Sequence, residues 1–424
     1  MENNNTSLAP LRPLFPILEK QEKQLAIVEK LLAESVQSKI LNIALNHPEF
    51  FIQMISRDYP LTIEMIEKYK DKWEWYSLSF NQSIIWSKDL FEKYKDKLVW
   101  SFLALNKSLP WSIELIEKYK DEWNWGYLSN NTALPWSIEL IDKYKDKWIW
   151  NCWHRRDNSL SENTALPWSI ELIEKYKKRW DWIDLSSNRA LPWSVKLIER
   201  FKDELYWGYL STNSGLPWSV EFIEKYKKRW GWIDLSSNRA LPWSVKLIER
   251  FKDELYWGYL SSNRGLPWSM ELIEKYKDRW YWKNLYENEC LPWSIELIEK
   301  FKINVYRNQS ALSKNEGLPW SPEFIEKHKN DWNWDDLSEN KALPWSMKLI
   351  EKYENKWNWG AKGLSDNKDL LWSIELIEKY EDKWDWEDSL KWNESVYQKA
   401  FRPYLTDSFT DEIMNKIKDA NYGK

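Results

Sequence analysis

From residue 60 onward the chain repeats one arrangement of apolar and polar positions, most often every 25 residues. Between Ser112 and Trp123 the apolar residues Leu115, Ile116, Tyr119 and Trp123 recur at i, i+1, i+4 and i+8, while Glu114, Glu117, Lys118 and Glu122 fall elsewhere. That period predicts an amphipathic helix over Ser112 to Trp123. Ser112 is its natural N-cap, with Trp111 and Ile116 at the positions of a hydrophobic staple. Ser321 is followed by Pro322, and proline suits the first helical position because its missing N–H costs nothing there. Glu114 and Lys118 stand in the favourable i, i+4 order, acid toward the helix start and base toward its end.

A second, shorter helix is predicted over Trp180-Asp181-Trp182-Ile183-Asp184-Leu185-Ser186. Asp181 can cap it, and Trp180 can staple onto Leu185. Asn124, Asn333, Asn358 and Asp385 occupy the same capping slot in other units. The helix is expected to stop near a marker Asn in the left-handed conformation that Asn tolerates. Two residues later comes Ala133, Ala190, Gly215, Gly265 or Gly317, a small side chain where one unit's backbone presses on the next.

The marker positions are Asn81, Asn106, Asn131, Asn163, Asn188, Asn213, Asn238, Asn263, Asn288, Asn315, Asn340 and Asn367. Residues 174–211 and 224–261 are identical except that Asp181 becomes Gly231, which marks a duplicated two-unit block. A hairpin of this size cannot bury its aromatic face alone, so neighbours must stack. The prediction is an all-α solenoid of about twelve helical hairpins, a rod or superhelix on the order of 100 Å long. The alternative is a leucine-rich-repeat-like α/β solenoid, suggested by Leu-Ser-x-Asn. It needs an apolar residue five before the Asn, where this chain has Gly126, Gly208, Lys283 or Asp335, with Ile183 the exception. Helices are therefore preferred.

Around the array, residues 1–13 read as disordered. Residues 14–58 read as a helical cap containing Leu25, Ile27, Val28, Leu31 and Leu32. The array covers 59–392. Residues 393–424 read as a C-terminal cap whose last helix runs near Asp411 to Asp419. Two interruptions stand out: an insertion near 151–157 and a degenerate unit near 302–310 that loses both Trp of the short helix. Insertions in solenoids map to loops on one face, often the binding face.

Composition sharpens this picture. The 424 residues include 35 Trp and 22 Tyr but only 10 Gly, and charged residues make up 30% at a net charge of −4. Many small amphipathic units fit that mixture; disorder does not. The near-neutral balance gives no general electrostatic reason to bind nucleic acid. No run is apolar enough to cross a bilayer, and the polar N-terminus lacks a signal-peptide core. Two Cys far apart are no disulfide framework. A cytoplasmic protein without membrane association is expected.

The pattern Trp-x-Trp-x-x-Leu-Ser-x-Asn, followed by Leu-Pro-Trp-Ser and an Ile-rich helix, resembles Trp-rich short-repeat arrays of giant viruses and some bacteria. The resemblance covers roughly residues 60–392, is specific to the repeat, and implies no activity. In architecture the chain looks like the tetratricopeptide and ankyrin classes, which are binding scaffolds.

Candidate chemistry is sparse. The recurring Trp are expected in the core; Trp153, inside the insertion, has no repeat-imposed role. The Asn ladder, Asn106 to Asn340, is expected to close turns through backbone groups. The slot after each Asn varies in charge and size, and includes Arg189, Arg239 and Arg264. With Trp153, His154, Arg155 and Arg156 these form the candidate binding set. Arg is concentrated in the middle of the array, where interleaved acids make most of it salt-bridge partners. Cys152 with His154 offers a nucleophile near a base, but no orienting or oxyanion motif accompanies them. No phosphate loop or zinc spacing is present. The expected function is a non-catalytic scaffold for a protein or peptide, with no cofactor and no metal. Nucleic-acid or polyanion binding by the Arg-rich middle is the first alternative, and glycan binding by exposed Trp the second.

Overall fold

The computed structural model describes residues 15–151, 159–303 and 305–422, and among them every regular element is helical. The chain is an α-solenoid; the α/β alternative fails because the described residues contain no strand. The expected disorder of 1–13 lies outside the described residues.

Each unit pairs an outer helix with a short inner one. The outer helix opens on its serine, as in the third unit, where Ser112 Oγ accepts from the Leu115 N–H at 3.2 Å. It is shorter than the periodicity predicts, running only Ile113–Lys118. The chain then tightens at Tyr119 (φ −118°, ψ 29°) into a turn that delivers Trp123 to the same buried face. A six-residue helix leaves most of its terminal carbonyls without an intrahelical partner. Tryptophan supplies donors. Trp180 Nε1 donates to Ile173 O at 3.1 Å, Trp182 Nε1 to Lys177 O at 3.2 Å, and Trp193 Nε1 to Asn188 O at 2.9 Å. The same bonds recur along the array, as from Trp148, Trp230 and Trp280 to the matching carbonyls, so most Trp of the motif pack a ring and satisfy a backbone oxygen; Trp123 Nε1 is buried without a partner. Trp180→Phe keeps most of the apolar contact and removes one donor. It is expected to cost about 1–2 kcal/mol, read as faster amide exchange confined to residues 170–187.

The inner helix, Trp182–Ser187 in the fifth unit, starts on Asp181, whose carboxylate accepts from Ile183 N and Asp184 N. It stops at Asn188, but not in the left-handed conformation expected: Asn188 is extended (φ −70°, ψ 118°). Asparagine is there for its side chain. Asn188 Oδ1 accepts from Ala190 N at 2.9 Å, while Nδ2 donates to Ser161 O at 2.9 Å and Asn163 O at 3.4 Å in the preceding unit. Ser186 makes the complementary link. Its hydroxyl donates to Trp182 O at 2.6 Å and accepts from Tyr206 N of the following unit at 2.9 Å. Asn393 makes the same bonds to Ser365 O and Asn367 O. The ladder therefore runs one rung past Asn367, into the segment read as a cap.

The degenerate unit keeps its place. Ile303 and Val305 are buried there, and an inner helix, Gln309–Lys314, still forms. At the insertion the inner helix shrinks to a single 3-10 turn, Leu160–Glu162. On the two sides of the insertion, Leu160 N–H donates to Ile149 O at 2.6 Å.

The array is not a rod. Neighbouring inner helices pack against one another from Trp75–Phe80 through to Leu390–Trp392. The helix Pro48–Asp58 then packs against both of those ends, closing a circle of thirteen units and one N-terminal station. Outer helices of neighbouring units stand farther apart, as the larger circumference requires. The closing station interleaves both termini. Helix Phe15–Asn46 lies against the last outer helix, Ile374–Lys379, and helix Asp407–Tyr422 lies against Phe15–Asn46 in turn. His47 stacks on Trp386 with ring centroids 3.8 Å apart, and Arg57 donates to Lys391 O at 2.6 Å.

The closure imitates the repeat. Along the outer face most units pair a Lys or Arg with an acid of the preceding unit, as in Lys225–Glu199 and Lys275–Glu249, and the adjacent Tyr226 and Tyr276 hydroxyls donate to those same carboxylates. At the seam Lys68 and Tyr69 make this pair of contacts to Asp411 of the C-terminal helix, at 2.6 and 2.7 Å. Lys39 pairs with Glu378 of the last unit at 2.6 Å. An accessible surface of 24079 Å² exceeds the roughly 17,000 Å² of a compact monomer of this mass, as an open ring requires. Helix spacings of about 8–10 Å put the inner axes on a circle roughly 40 Å across and leave an opening on the order of 30 Å.

Candidate functional site

The Trp, Leu and Ser of each inner helix turn toward the outer layer and are buried or half-buried. At 100° per residue, the first, second and fifth positions after that Trp then face the opening. Contacts agree: Phe102 lies against Tyr76 and Phe80 of the preceding helix, with centroids 4.3 and 6.2 Å apart. Tyr209, Ile233 and Tyr259 are exposed at these positions.

The charged residues there lean one way. Glu162, Asp184, Asp234 and Glu287 lie on one stretch of the wall, and Asp335, Asp336, Glu339 and Asp366 on the next; Lys283 and Lys314 oppose them. These acids are poorly matched. Asp336 Oδ1 pairs with Lys314 at 3.1 Å, but its Oδ2 is buried without a hydrogen-bond partner. Burial pushes the Asp184 and Asp234 carboxyls above their ordinary range.

The outer face differs. There the Lys225 ammonium and the Tyr226 hydroxyl hold Glu199 down to about 2, and Lys275 with Tyr276 does the same for Glu249. A carboxyl lowered on folding contributes stability that is complete above its unfolded value near 4.5 and is lost as pH falls toward 2. The Tm is therefore expected to fall between pH 4.5 and pH 2. The raised inner carboxyls act with the opposite sign. Because the outer pairs are exposed, added salt should shrink the acid effect, which thermal melts at two ionic strengths would show.

All inner helices run in one direction, so the two mouths of the ring differ. Tyr206, Tyr256 and Tyr281 stand just before helix starts at one mouth, each half exposed or more. The slot after each marker Asn lies at the other. Gln82 and Lys368 line a cavity of about 540 Å³ there with Tyr76, Phe80, Phe102 and Trp392.

Arg189 and Arg239 are exposed in that slot, whereas Arg264 is paired with Glu289 at 2.6 Å. A Cβ on Gly265 would stand 2.5 Å from Arg239 O, the close approach that the small-residue position anticipates. Trp153, His154, Arg155, Arg156 and Cys152 lie outside the described residues. The structure places Arg189, Arg239 and Arg264 along one edge without converging them. Other arginines of the middle are engaged by the preceding unit: Arg179 with Asp146, Arg200 with Glu174, Arg229 with Asp203, and Arg250 with Glu224. The marker asparagines are buried and out of a ligand's reach. What sequence reasoning missed is the inner tyrosine and acid set. Its signal was present in the variable positions inside Trp-x-x-Leu-Ser-x, next to the fixed ones.

Among the described residues no three His, Cys, Asp or Glu form a metal cluster, and no helix is long and apolar enough to cross a membrane. Compared with family models, curated proteins and solved structures, the chain matches none, so the likeness to Trp-rich repeat arrays rests on the motif alone.

Proposed function

We propose that the protein is a non-catalytic ring scaffold that binds a protein or peptide on its inner face. The observation carrying this reading is the contrast between the two faces. Outer charges are matched unit to unit, while the inner wall presents exposed tyrosines and under-paired acids. Tyr gives large, stiff contact area at low entropic cost, as in other recognition surfaces. The same contrast weighs against polyanion binding through the middle arginines, because most of them already hold acids.

Ser237→Arg with Ser262→Arg changes two exposed inner positions without touching the core. Partners captured from native lysate by the intact chain should be lost from this variant and kept by Asp278→Lys, an exposed outer change. Equal capture by all three would sink the inner-face reading, and retention on a polyanion resin that falls steeply with salt would replace it with the nucleic-acid one.

A further inference from the structure

We infer that the segment bound on the inner wall is rich in Lys and Arg, a deepening that rests on the scaffold reading above. The clearest ground is Asp234. In the first copy of the duplicated block, Ser159 Oγ donates to Asp184 Oδ2 at 2.7 Å, and Asp181 occupies the cap before it. In the second copy Gly231 replaces that cap, and no hydrogen bond or ion pair to the Asp234 carboxylate is present among the described residues, its backbone oxygen alone accepting from Ser237 and Asn238. A Cβ would meet its Oδ2 at 2.5 Å from Gly231 and 3.4 Å from Gly208. The carboxylate thus lies over two positions that have no side chain of their own.

A cavity of about 610 Å³ opens beside it, bounded by Trp232, Asp234, Asp253, Glu254 and Tyr256. Asp253 and Glu254 are already held by Arg279 at 3.5 Å and Lys227 at 2.5 Å; Asp234 is the carboxylate left over. A half-buried, unmatched carboxylate next to aromatic rings is complementary to an ammonium or guanidinium group, which gains a charge-assisted bond and a ring face together. The protein uses this chemistry on itself, with Arg229 over Trp207 at 5.3 Å and Lys225 over Tyr226 at 5.0 Å.

The acids facing the opening, from Glu162 to Asp366, spread that complementarity along the wall and not at one point. That favours a chain carrying several cations over a single small one. The mouths add direction. Lys107, Arg189, Arg239, Lys341 and Lys368 follow marker asparagines at one edge and outnumber Glu289 and Glu316 in the same slot, so that edge repels such a segment and it enters from the tyrosine edge.

The test uses the full chain and a fluorescein-labelled Arg/Ser-repeat peptide, with a Glu/Ser peptide and spermine as comparisons, read by anisotropy at low salt. Saturable binding of the Arg peptide alone is expected. It should weaken about ten-fold or more in Asp184→Asn with Asp234→Asn at an unchanged Tm, and hold in the charge-matched outer pair Asp278→Asn with Asp382→Asn. If the inner Asn pair fails to fold, Tyr209→Ala with Tyr259→Ala, both exposed rings, carries the same comparison. No binding of the Arg peptide, equal affinity in inner and outer variants, or tighter binding of spermine would each overturn the inference. If the peptide fails while Ser237→Arg with Ser262→Arg still abolishes partner capture, the basic-segment inference falls and the scaffold reading stands. If both fail, both fall.

Discussion

Removing residues 1–58 is expected to open the ring. The deleted helices bury Ile40, Ile43, Phe50, Phe51, Met54 and Ile55 in the closure. At roughly 1.5–3 kcal/mol for each such side chain, this amounts to about 9–18 kcal/mol as an upper figure, comparable with the whole stability of an ordinary domain. The deletion also takes away the station that joins Leu390–Trp392 to Trp75–Phe80, and with it Ser56 O, an acceptor for Asn81 Nδ2 at 2.9 Å. Stacked units depend on their immediate neighbours, so the remaining array should stay helical while its ends separate. Small-angle scattering should show a larger radius of gyration, and light scattering should show self-association, since Phe401 and Trp386 lose their cover and can accept the end of another chain. A truncated chain that stays monomeric at an unchanged radius would show that the termini do not close the ring.

The second large effect separates two adjacent residues. Asn238→Ala should destabilise its neighbourhood by about 2–6 kcal/mol, because Ser211 O and Ala240 N, each 2.8 Å from the Asn238 amide, lose a buried partner at about 1–3 kcal/mol apiece. Arg239→Ala, one position on and exposed, should change stability by less than about 0.5 kcal/mol. Asn238→Asp should not rescue the loss, since a carboxylate cannot donate to Ser211 O. Denaturant melts, with amide exchange read at the two flanking inner helices, would resolve all three; equal effects of Asn238→Ala and Arg239→Ala would refute the assignment of the ladder.

Local features were legible because they recur. Ser112 as a cap, Asp181 as a cap, Trp123 in the core and the small residue at Gly265 each follow from short-range chemistry repeated along the chain. Two local expectations failed for physical reasons. The outer helix stops at Lys118 because the chain closes a turn on Tyr119, whose carbonyl accepts from Glu122 N at 3.0 Å and Trp123 N at 3.2 Å, something a hydrophobic period does not encode. Asn188 is extended because its amide bonds reach the preceding unit, not because its own backbone bends left-handed. The ring itself was hidden, since curvature comes from small differences in spacing between two layers. Hints existed: Lys68-Tyr69 matches Lys118-Tyr119, yet the position 26 residues before Lys68 is Asn42, not an acid. Glu378 likewise has Tyr404 where the next lysine should stand. Each end carries one half of a contact. The inner tyrosines were not legible because the positions they occupy vary from Tyr209 to Asp234 and Asp336, so no recurring residue type marks which way the helix faces.

Closure also constrains how such a gene can grow. An open stack tolerates one unit more or fewer, because each added unit lengthens it without disturbing the rest. A circle of fourteen stations turns about 26° at each, and losing the duplicated two-unit block would ask the remaining twelve for about 30°. Recombination between the near-identical stretches 174–211 and 224–261 is therefore expected to yield chains that either bend every joint a little further or fail to meet. Selection on this lineage should act on the count of units as strictly as on any residue within them.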